Sequence, residues 1–103
     1  MANYPIRILV LNNIGDMAYS ASVQHAVAGD TITWSSETGA FTLAFQGNSP
    51  LTEGLQLRSG AGNAVTGTVK AGANKGCYYY SVAATFTDGL IYMDPGCPEV
   101  IIR

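Results

Sequence analysis

Alternation of polar and apolar residues with a period of two is the feature of this sequence that most restricts its fold. It is clearest at residues 27–34, V-A-G-D-T-I-T-W, where a Gly-Asp turn leads into an alternating run that ends on Trp34. A second run, F-T-L-A-F, follows at residues 41–45. A period of two places successive side chains on opposite faces of a β-strand. The two runs therefore predict consecutive strands that direct aromatic residues into a core.

Strand-like runs recur along the chain, and helix periodicity is nearly absent. The predicted strands span residues 6–11, 17–27, 31–34, 41–45, 64–70, 77–83 with an extension to 87, and 98–103. The almost continuously apolar 6–11 run predicts a strand covered on both faces or nearly so. Residues 46–63 predict a long loop with a short strand or helical turn around 51–57. Short strands at roughly ten-residue spacing predict a single β-sandwich or barrel domain over residues 1–103.

Charge is scarce, since 12% of the 103 residues are charged and the formal net charge is −2. Binding to nucleic acid needs clustered Lys and Arg, but the basic residues are scattered. They are Arg7, Arg58, Lys70, Lys75 and Arg103. No apolar run approaches the ~20 residues of a membrane-spanning helix. The composition therefore predicts neither a nucleic-acid nor a membrane partner.

The N-terminal sequence, M-A-N-Y-P-I-R-I-L-V-L, lacks the features of a secretory signal peptide. Such a peptide has a basic segment, an apolar stretch and a small-residue cleavage site. We therefore expect a cytoplasmic protein, or a secreted one if a leader has been removed.

Two segments resemble the cupredoxins, which are small Greek-key β-sandwiches that bind one copper ion near one end. The first is the V-A-G-D-T-I-T-W run, and the second is Y-x-Y-x-V at Tyr78, Tyr80 and Val82, followed by a loop, Met93 and V-I-I. The resemblance covers residues 23–45 and 64–103, about three fifths of the chain. It implies an all-β, cupredoxin-like Greek-key sandwich of about seven or eight strands.

The resemblance does not extend to the copper ligands. The first His ligand of the family would fall at Phe41 or Thr42 and the Cys ligand at Val82, and the second His has no counterpart. Met93 alone corresponds to a ligand, the weak axial one. A blue-copper centre needs two His and a Cys, and this sequence contains one His. The resemblance therefore implies a copper-free sandwich with apolar packing at the metal position, and we expect no cofactor.

The single histidine and the two cysteines offer little other chemistry. As a general base His25 would need a nucleophile or acid beside it in a pocket; the alternative is an exposed or hydrogen-bonded strand histidine. Two Cys and one His fall short of the four ligands of structural zinc unless a carboxylate joins them. With strands 78–83 and 98–103 as antiparallel neighbours, Cys77 and Cys97 would lie about 20 Å apart, beyond the ~7 Å Cα separation of a disulfide. We therefore predict free thiols and no enzyme activity.

Three consecutive tyrosines point to a surface contact. Tyr78 and Tyr80 are expected to enter the core, so Tyr79 points outwards. The neighbouring strand would place Ile101 nearly opposite Tyr79, as an exposed aromatic–β-branched pair. A paired apolar patch on a low-charge surface is a candidate contact, most simply with a second copy in a two-fold dimer. The alternative is that residues 46–63 fold over the patch within one chain.

The function predicted from these observations is a non-catalytic binding or self-assembling module, with a homo-oligomer, most simply a dimer, as the expected assembly. The alternative is a carbohydrate-binding, lectin-like domain, because sugar recognition combines aromatic faces with Asn, Asp and Gln. Candidate residues for a glycan or another small molecule are Asn48, Asn63, Asp88 and Tyr92.

Overall fold

Short β-strands dominate the fold, as the alternation predicts. The computed structural model describes residues 1–12, 14, 16–94 and 98–103. The strands are β1 (Asn3–Val10), β2 (Met17–Tyr19), β3 (Val23–Ala26), β4 (Thr31–Ser36), β5 (Phe41–Phe45), β6 (Gln56–Arg58), β7 (Ala64–Thr68), β8 (Gly76–Thr85), β9 (Ile91–Asp94) and β10 (Glu99–Ile102). One 3-10 turn, Ala61–Asn63, accompanies them in the described ranges. None of the described segments is a helix long and apolar enough to cross a membrane.

The strands form two mixed sheets. The first has the order β2-β1-β4-β7 and the second the order β3-β10-β8-β5-β6, with β9 paired to the C-terminal half of β8. β1 is parallel to β4 and β3 is parallel to β10, and the other pairs are antiparallel. The chain crosses repeatedly between the sheets, as in a Greek-key sandwich, so the predicted fold class is confirmed. The described residues form more strands than the seven or eight predicted, because several are only three or four residues long.

Trp34 lies in the core between the sheets and is fully buried, as predicted. Its ring meets Tyr80 of the second sheet edge-on, with centroids 5.7 Å apart, and its indole N–H donates to the Tyr80 hydroxyl at 3.2 Å. Phe45 packs against Tyr80 at a centroid distance of 5.3 Å. The fully buried side chains around them include Ile6, Ile32, Leu43, Val82 and Val100. A single apolar layer with one internal hydrogen bond therefore joins the two sheets.

The prediction of one strand at residues 17–27 is wrong. This segment forms β2 in the first sheet and β3 in the second, and residues 20–22 cross between them. Ser20 ends the first ladder, because its N–H donates to the Arg7 carbonyl and its hydroxyl accepts from the Arg7 N–H. Ser22 begins the second ladder by accepting from Glu99. A serine that bonds to backbone can thus divide a strand without disturbing the alternation visible in the sequence.

Two other expectations also need correction. β1 is covered on one face only, since Ile6 and Ile8 are buried and Arg7 between them is exposed. Residues 46–63 contain β6 and the 3-10 turn, later in the chain than predicted. The earlier part of this segment is anchored by Leu51, which is buried and forms a β-bridge with Val69.

The turn between β3 and β4 explains the Gly-Asp pair in the sequence. Gly29 has a φ of 88°, in the region that favours glycine. Asp30 is 3% exposed, and its carboxylate accepts the N–H groups of Ala2 and Val27, both at 3.0 Å. These backbone bonds, that of Ala2 foremost, lower the pKa of Asp30 despite its burial. The turn thereby ties the start of β1 to the crossing between the sheets.

The open edge of the second sheet, at β3, is closed by a side chain. The carbonyls of Ser22 and Ala26 accept from the neighbouring β10, so the carbonyl of His25 points to the open side. There it accepts a hydrogen bond from Gln24 Nε2 at 2.9 Å. This bond obstructs the addition of another strand at β3.

The open edge of the first sheet, at β7, is closed in a similar way. The Thr68 N–H donates to Glu53 Oε1 at 2.8 Å, and the Thr68 carbonyl accepts from Thr52 at 2.9 Å. The remaining edges among the described strands, β2, β6 and β9, are three or four residues long. Short or capped edges disfavour edge-to-edge pairing, so the outer faces of the sheets are the surfaces that remain for a partner.

Candidate interaction face

One broad surface of the molecule consists of the outward-facing residues of the second sheet, which we call the apolar face. Strand pairing assigns every second residue of β3, β10, β8, β9, β5 and β6 to it. These residues are Val23, His25, Thr42, Ala44, Gln56, Arg58, Cys77, Tyr79, Ser81, Ala83, Thr85, Ile91, Met93, Glu99 and Ile101.

Large apolar side chains on this face are in contact with solvent. Tyr79 is 48% exposed, Val23 is 45% exposed, and Ile91 and Met93 are each 67% exposed. Ile101 is half-buried on the same face. Small side chains, Ser and Ala, occupy the middle of the face. The apolar face therefore has exposed apolar groups around a centre of small side chains.

The predicted register between Tyr79 and Ile101 is wrong by two residues. Tyr79 lies directly opposite Glu99, and Ile101 lies opposite Cys77. The cause is β9, which occupies the C-terminal half of β8, so β10 pairs with the first half of that strand. A shift of two residues keeps every side chain on its face. Tyr79 and Ile101 therefore share the apolar face as diagonal neighbours.

Tyr92, the third predicted contact residue, is not brought together with the other two. It is half-buried and packs against the core, with its ring edge-on to Phe86 at a centroid distance of 6.2 Å. Its hydroxyl donates to Asp88 Oδ2 at 2.7 Å, and this hydrogen bond raises the pKa of Tyr92. Tyr92 thus stabilises the end of the sandwich.

Two opposite charges lie at opposite corners of the apolar face. Glu99 is opposite Tyr79, whereas Arg58 is opposite Thr42, which in turn pairs with Ala83. Three strand spacings of ~4.8 Å and four residues of ~3.3 Å separate the two positions, about 20 Å in all. Each charge therefore stands alone at its end of the face.

Neither charge is neutralised by an ion pair within the described part of the chain. Arg58 is exposed and belongs to no salt bridge there. The Oε2 atom of Glu99 is buried without a hydrogen-bond partner among the described residues. The Glu99 charge raises the pKa of the adjacent Tyr79 phenol.

A shallow cavity of about 220 Å³ opens on the apolar face beside Arg58. Its lining residues include Arg58, Thr42, Ala83, Thr85 and Ile91. Typical small-molecule pockets measure ~300 Å³ or more. The cavity is therefore better matched to a single side chain than to a cofactor.

Cys77 and His25 also lie on the apolar face, but their placement does not support catalysis. Two strand spacings, ~10 Å, separate them. His25 Nδ1 accepts from Arg103 Nε at 3.0 Å, and Cys77 is an exposed free thiol. Cys97 lies outside the described residues, so its predicted free state stays a prediction. In the described ranges, no three His, Cys, Asp or Glu side chains are grouped so that they could hold a metal ion.

Apolar side chains occupy the positions that the cupredoxin resemblance assigns to copper ligands. Phe41 is 3% exposed and Val82 is fully buried. Met93 does not join them, because it pairs with Ala83 and points outwards on the apolar face. The only histidine of the sequence, His25, is also on that outer face. A blue-copper donor set of two His and a Cys does not fit these residues.

A β-hairpin that the sequence analysis missed follows the Val82 position. β8 and β9 are joined by a turn at Gly89, whose φ is 83°, and Asp88 Oδ1 accepts the Leu90 N–H at 2.9 Å. Tyr19 of β2 donates to Asp94 Oδ2 at 2.8 Å, which fastens the hairpin to the first sheet. The Asp-Gly pair followed by the alternating I-Y-M-D run was the available signal. The hairpin contributes Ile91 and Met93 to the apolar face.

No protein-family model and no curated protein matches the sequence significantly. Among solved structures, a pseudoazurin from Sinorhizobium matches with a TM-score of 0.60 at 20% sequence identity. The match covers 100% of this chain and 75% of the pseudoazurin. At this identity the similarity shows the fold alone. The fold is therefore a cupredoxin-like β-sandwich, and its described residues lack the copper ligands.

Proposed function

We propose that the protein is a non-catalytic module that associates with a second copy of itself through the apolar face. The observation that carries this proposal is the exposure of Tyr79, Ile91 and Met93 on the outer surface of one sheet. A monomer would leave this patch in water, and contiguous exposed apolar patches are typical of interaction sites.

The size of the apolar face is sufficient for a modest dimer interface. Five neighbouring strands at ~4.8 Å spacing, with a ten-residue central strand at ~3.3 Å per residue, give a surface of roughly 20 by 30 Å. Its projected area is then about 600 Å², compared with the ~800 Å² of accessible surface that each partner buries in a standard interface. One copy of the face can therefore cover another.

A second copy is favoured over the chain's own loop as the occupant. The segment after β5 lies along β7 instead, where Leu51 bridges to Val69 and Lys70 donates to the Pro50 carbonyl. Tyr79 stays exposed in that arrangement. The face also carries the Glu99 carboxylate and the Arg58 guanidinium at opposite corners, so two copies can complement each other in charge.

Light scattering on a variant that carries Tyr79→Ser and Ile101→Thr tests the proposal. The parent is expected to have the mass of a dimer, and the variant that of a monomer. Leu9→Thr is the matched control, because Leu9 is a half-buried, outward-facing residue of the first sheet. A monomeric parent would overturn the proposal, and a dimer that survives the double substitution would place the interface elsewhere.

Carbohydrate binding is the alternative proposal and makes a different prediction. Tyr92, its candidate aromatic residue, is half-buried and bonded to Asp88, which restricts the ring surface that a sugar could use. Binding of the parent on a glycan array, abolished by Tyr92→Ala, would favour this alternative over self-association.

A further inference from the structure

Resting on the proposed self-association, we infer how the two copies are arranged. The Glu99–Tyr79 corner of each copy sits on the Arg58 corner of the other, reciprocally, about a two-fold axis.

The positions of the two charges select this arrangement. In a two-fold contact, if one residue of the first copy meets a second residue of the other copy, the same two residues also meet with the copies exchanged. The midpoint between Glu99 and Arg58 falls over the paired residues Ser81 and Ala44 at the centre of the face. Consider a two-fold axis that passes through this point, lies parallel to the face and is perpendicular to the line that joins the two charges. Rotation about this axis brings each Glu99 to Arg58 of the second copy. Axes through either corner would instead set like charges against each other.

The same superposition also places Tyr79. Tyr79 is the direct cross-strand neighbour of Glu99, with a Cβ separation of about 5 Å. Bringing Glu99 to Arg58 of the second copy therefore lays Tyr79 over β6 of that copy, about 5 Å from Arg58 on its Gln56 side. An aromatic ring beside a guanidinium is a common energetic centre of interfaces.

The arrangement also pairs two charges that form no ion pair within the described part of one chain. Glu99 is half-buried, so part of its side chain is open to a partner, and the Arg58 guanidinium offers several N–H donors. A carboxylate paired with a guanidinium makes charge-assisted hydrogen bonds. Two such contacts would flank the small residues at the centre of the dimer.

A charge-exchange experiment tests the inference with two single variants, Glu99→Arg and Arg58→Glu. Each variant alone places like charges at both contacts, so the association constant measured by analytical ultracentrifugation is expected to fall by about tenfold or more. An equimolar mixture restores both opposite-charge contacts in the heterodimer, and is expected to associate about as tightly as the parent. Circular dichroism of each variant verifies the fold.

The outcomes separate this inference from the function on which it rests. A dimeric parent with no rescue in the mixture would overturn the arrangement and leave self-association standing, whereas a monomeric parent would overturn both. If Glu99→Arg does not fold, Glu99→Gln replaces it. Its mixture with Arg58→Glu is then expected to associate more tightly than Arg58→Glu alone, and equal affinities would overturn the arrangement.

Discussion

On the outer face of the first sheet, Asn3 donates to the hydroxyls of Thr31 and Thr33 at 2.7 and 3.1 Å, and Thr33 shares a hydrogen bond with Thr66 at 2.8 Å. We call this surface the threonine face. On the apolar face of the second sheet, Tyr79 and Met93 are exposed and Glu99 Oε2 has no partner among the described residues. The threonine face satisfies its polar groups internally, whereas the apolar face does not.

This difference indicates which surface of the sandwich is available for contact with another molecule. Both faces have the same pleat and strand spacing, so backbone geometry does not distinguish them. The faces differ in their side chains. Those of the threonine face form hydrogen bonds with one another, whereas those of the apolar face include large apolar groups that remain exposed. Among the described residues, the charges of the first sheet are also paired, since Arg7 meets Glu37 at 3.5 Å. The apolar face leaves apolar area and opposite charges for another molecule.

The comparison assumes that a rigid core joins the two faces. The substitution Trp34→Ala is expected to destabilise this core. Removal of a fully buried indole that also bonds Tyr80 is expected to lower the free energy of unfolding by ~3–5 kcal/mol. Urea unfolding followed by circular dichroism measures the change. A loss below ~1 kcal/mol would show that the sheets are held together by something other than this packing.

The hydroxyl of Tyr80 couples the two sheets and makes that coupling depend on pH. Burial raises the pKa of Tyr80 to about 12, above the ~10 of an unfolded tyrosine. The resulting stability is fully present below pH ~10 and is lost as pH rises through about 12. Tyr80→Phe is expected to cost ~1 kcal/mol at neutral pH, through the lost Trp34 hydrogen bond, and to reduce the alkaline loss.

Denaturant unfolding of the parent and of Tyr80→Phe between pH 7 and about 12 measures both effects. An equal alkaline loss of stability in the two proteins would assign it to other groups.

Substitutions on the threonine face are expected to have the smallest effect on the free energy of unfolding, and they test whether this face takes part in association. Thr33→Val and Thr66→Val together keep the side-chain shape and remove two hydrogen bonds at a partly exposed site, the one between the two threonines and the one that Thr33 accepts from Asn3. The free energy of unfolding is expected to change by at most ~0.5 kcal/mol. The mass by light scattering should be that of the parent. Larger assemblies would show that apolar area alone, without the charges of the apolar face, is enough for association.

The sequence predicted the core well because period two fixes which side chains face inwards. Trp34 and Tyr80 are buried and Tyr79 is exposed, as the alternation requires. The register between β8 and β10 was predicted less well, because it depends on β9, which pairs with the second half of β8 and leaves the first half to β10. A shift of two residues leaves the alternation unchanged, so the Tyr79–Glu99 pairing could not be read from the pattern.

The candidate face was predicted only at Tyr79 and Ile101. Ile91 and Met93 reach it through β9, a four-residue strand in the segment that the resemblance assigns to a loop. Arg58 reaches it through β6, a three-residue strand too short for a periodic signal. The pairing of these short strands depends on tertiary packing, which no local sequence pattern specifies.

The caps on the sheet edges bear on how this protein behaves at high concentration. A formal net charge of −2 on 103 residues gives weak electrostatic repulsion between molecules. Strand-rich chains with low charge are prone to cross-β fibril growth where an edge offers free backbone groups. Here the hydrogen bonds from Gln24 to the His25 carbonyl and from the Thr68 N–H to Glu53 occupy such groups. We therefore expect the tendency to form fibrils to depend on these two side chains, Gln24 and Glu53, more than on the overall charge of the protein.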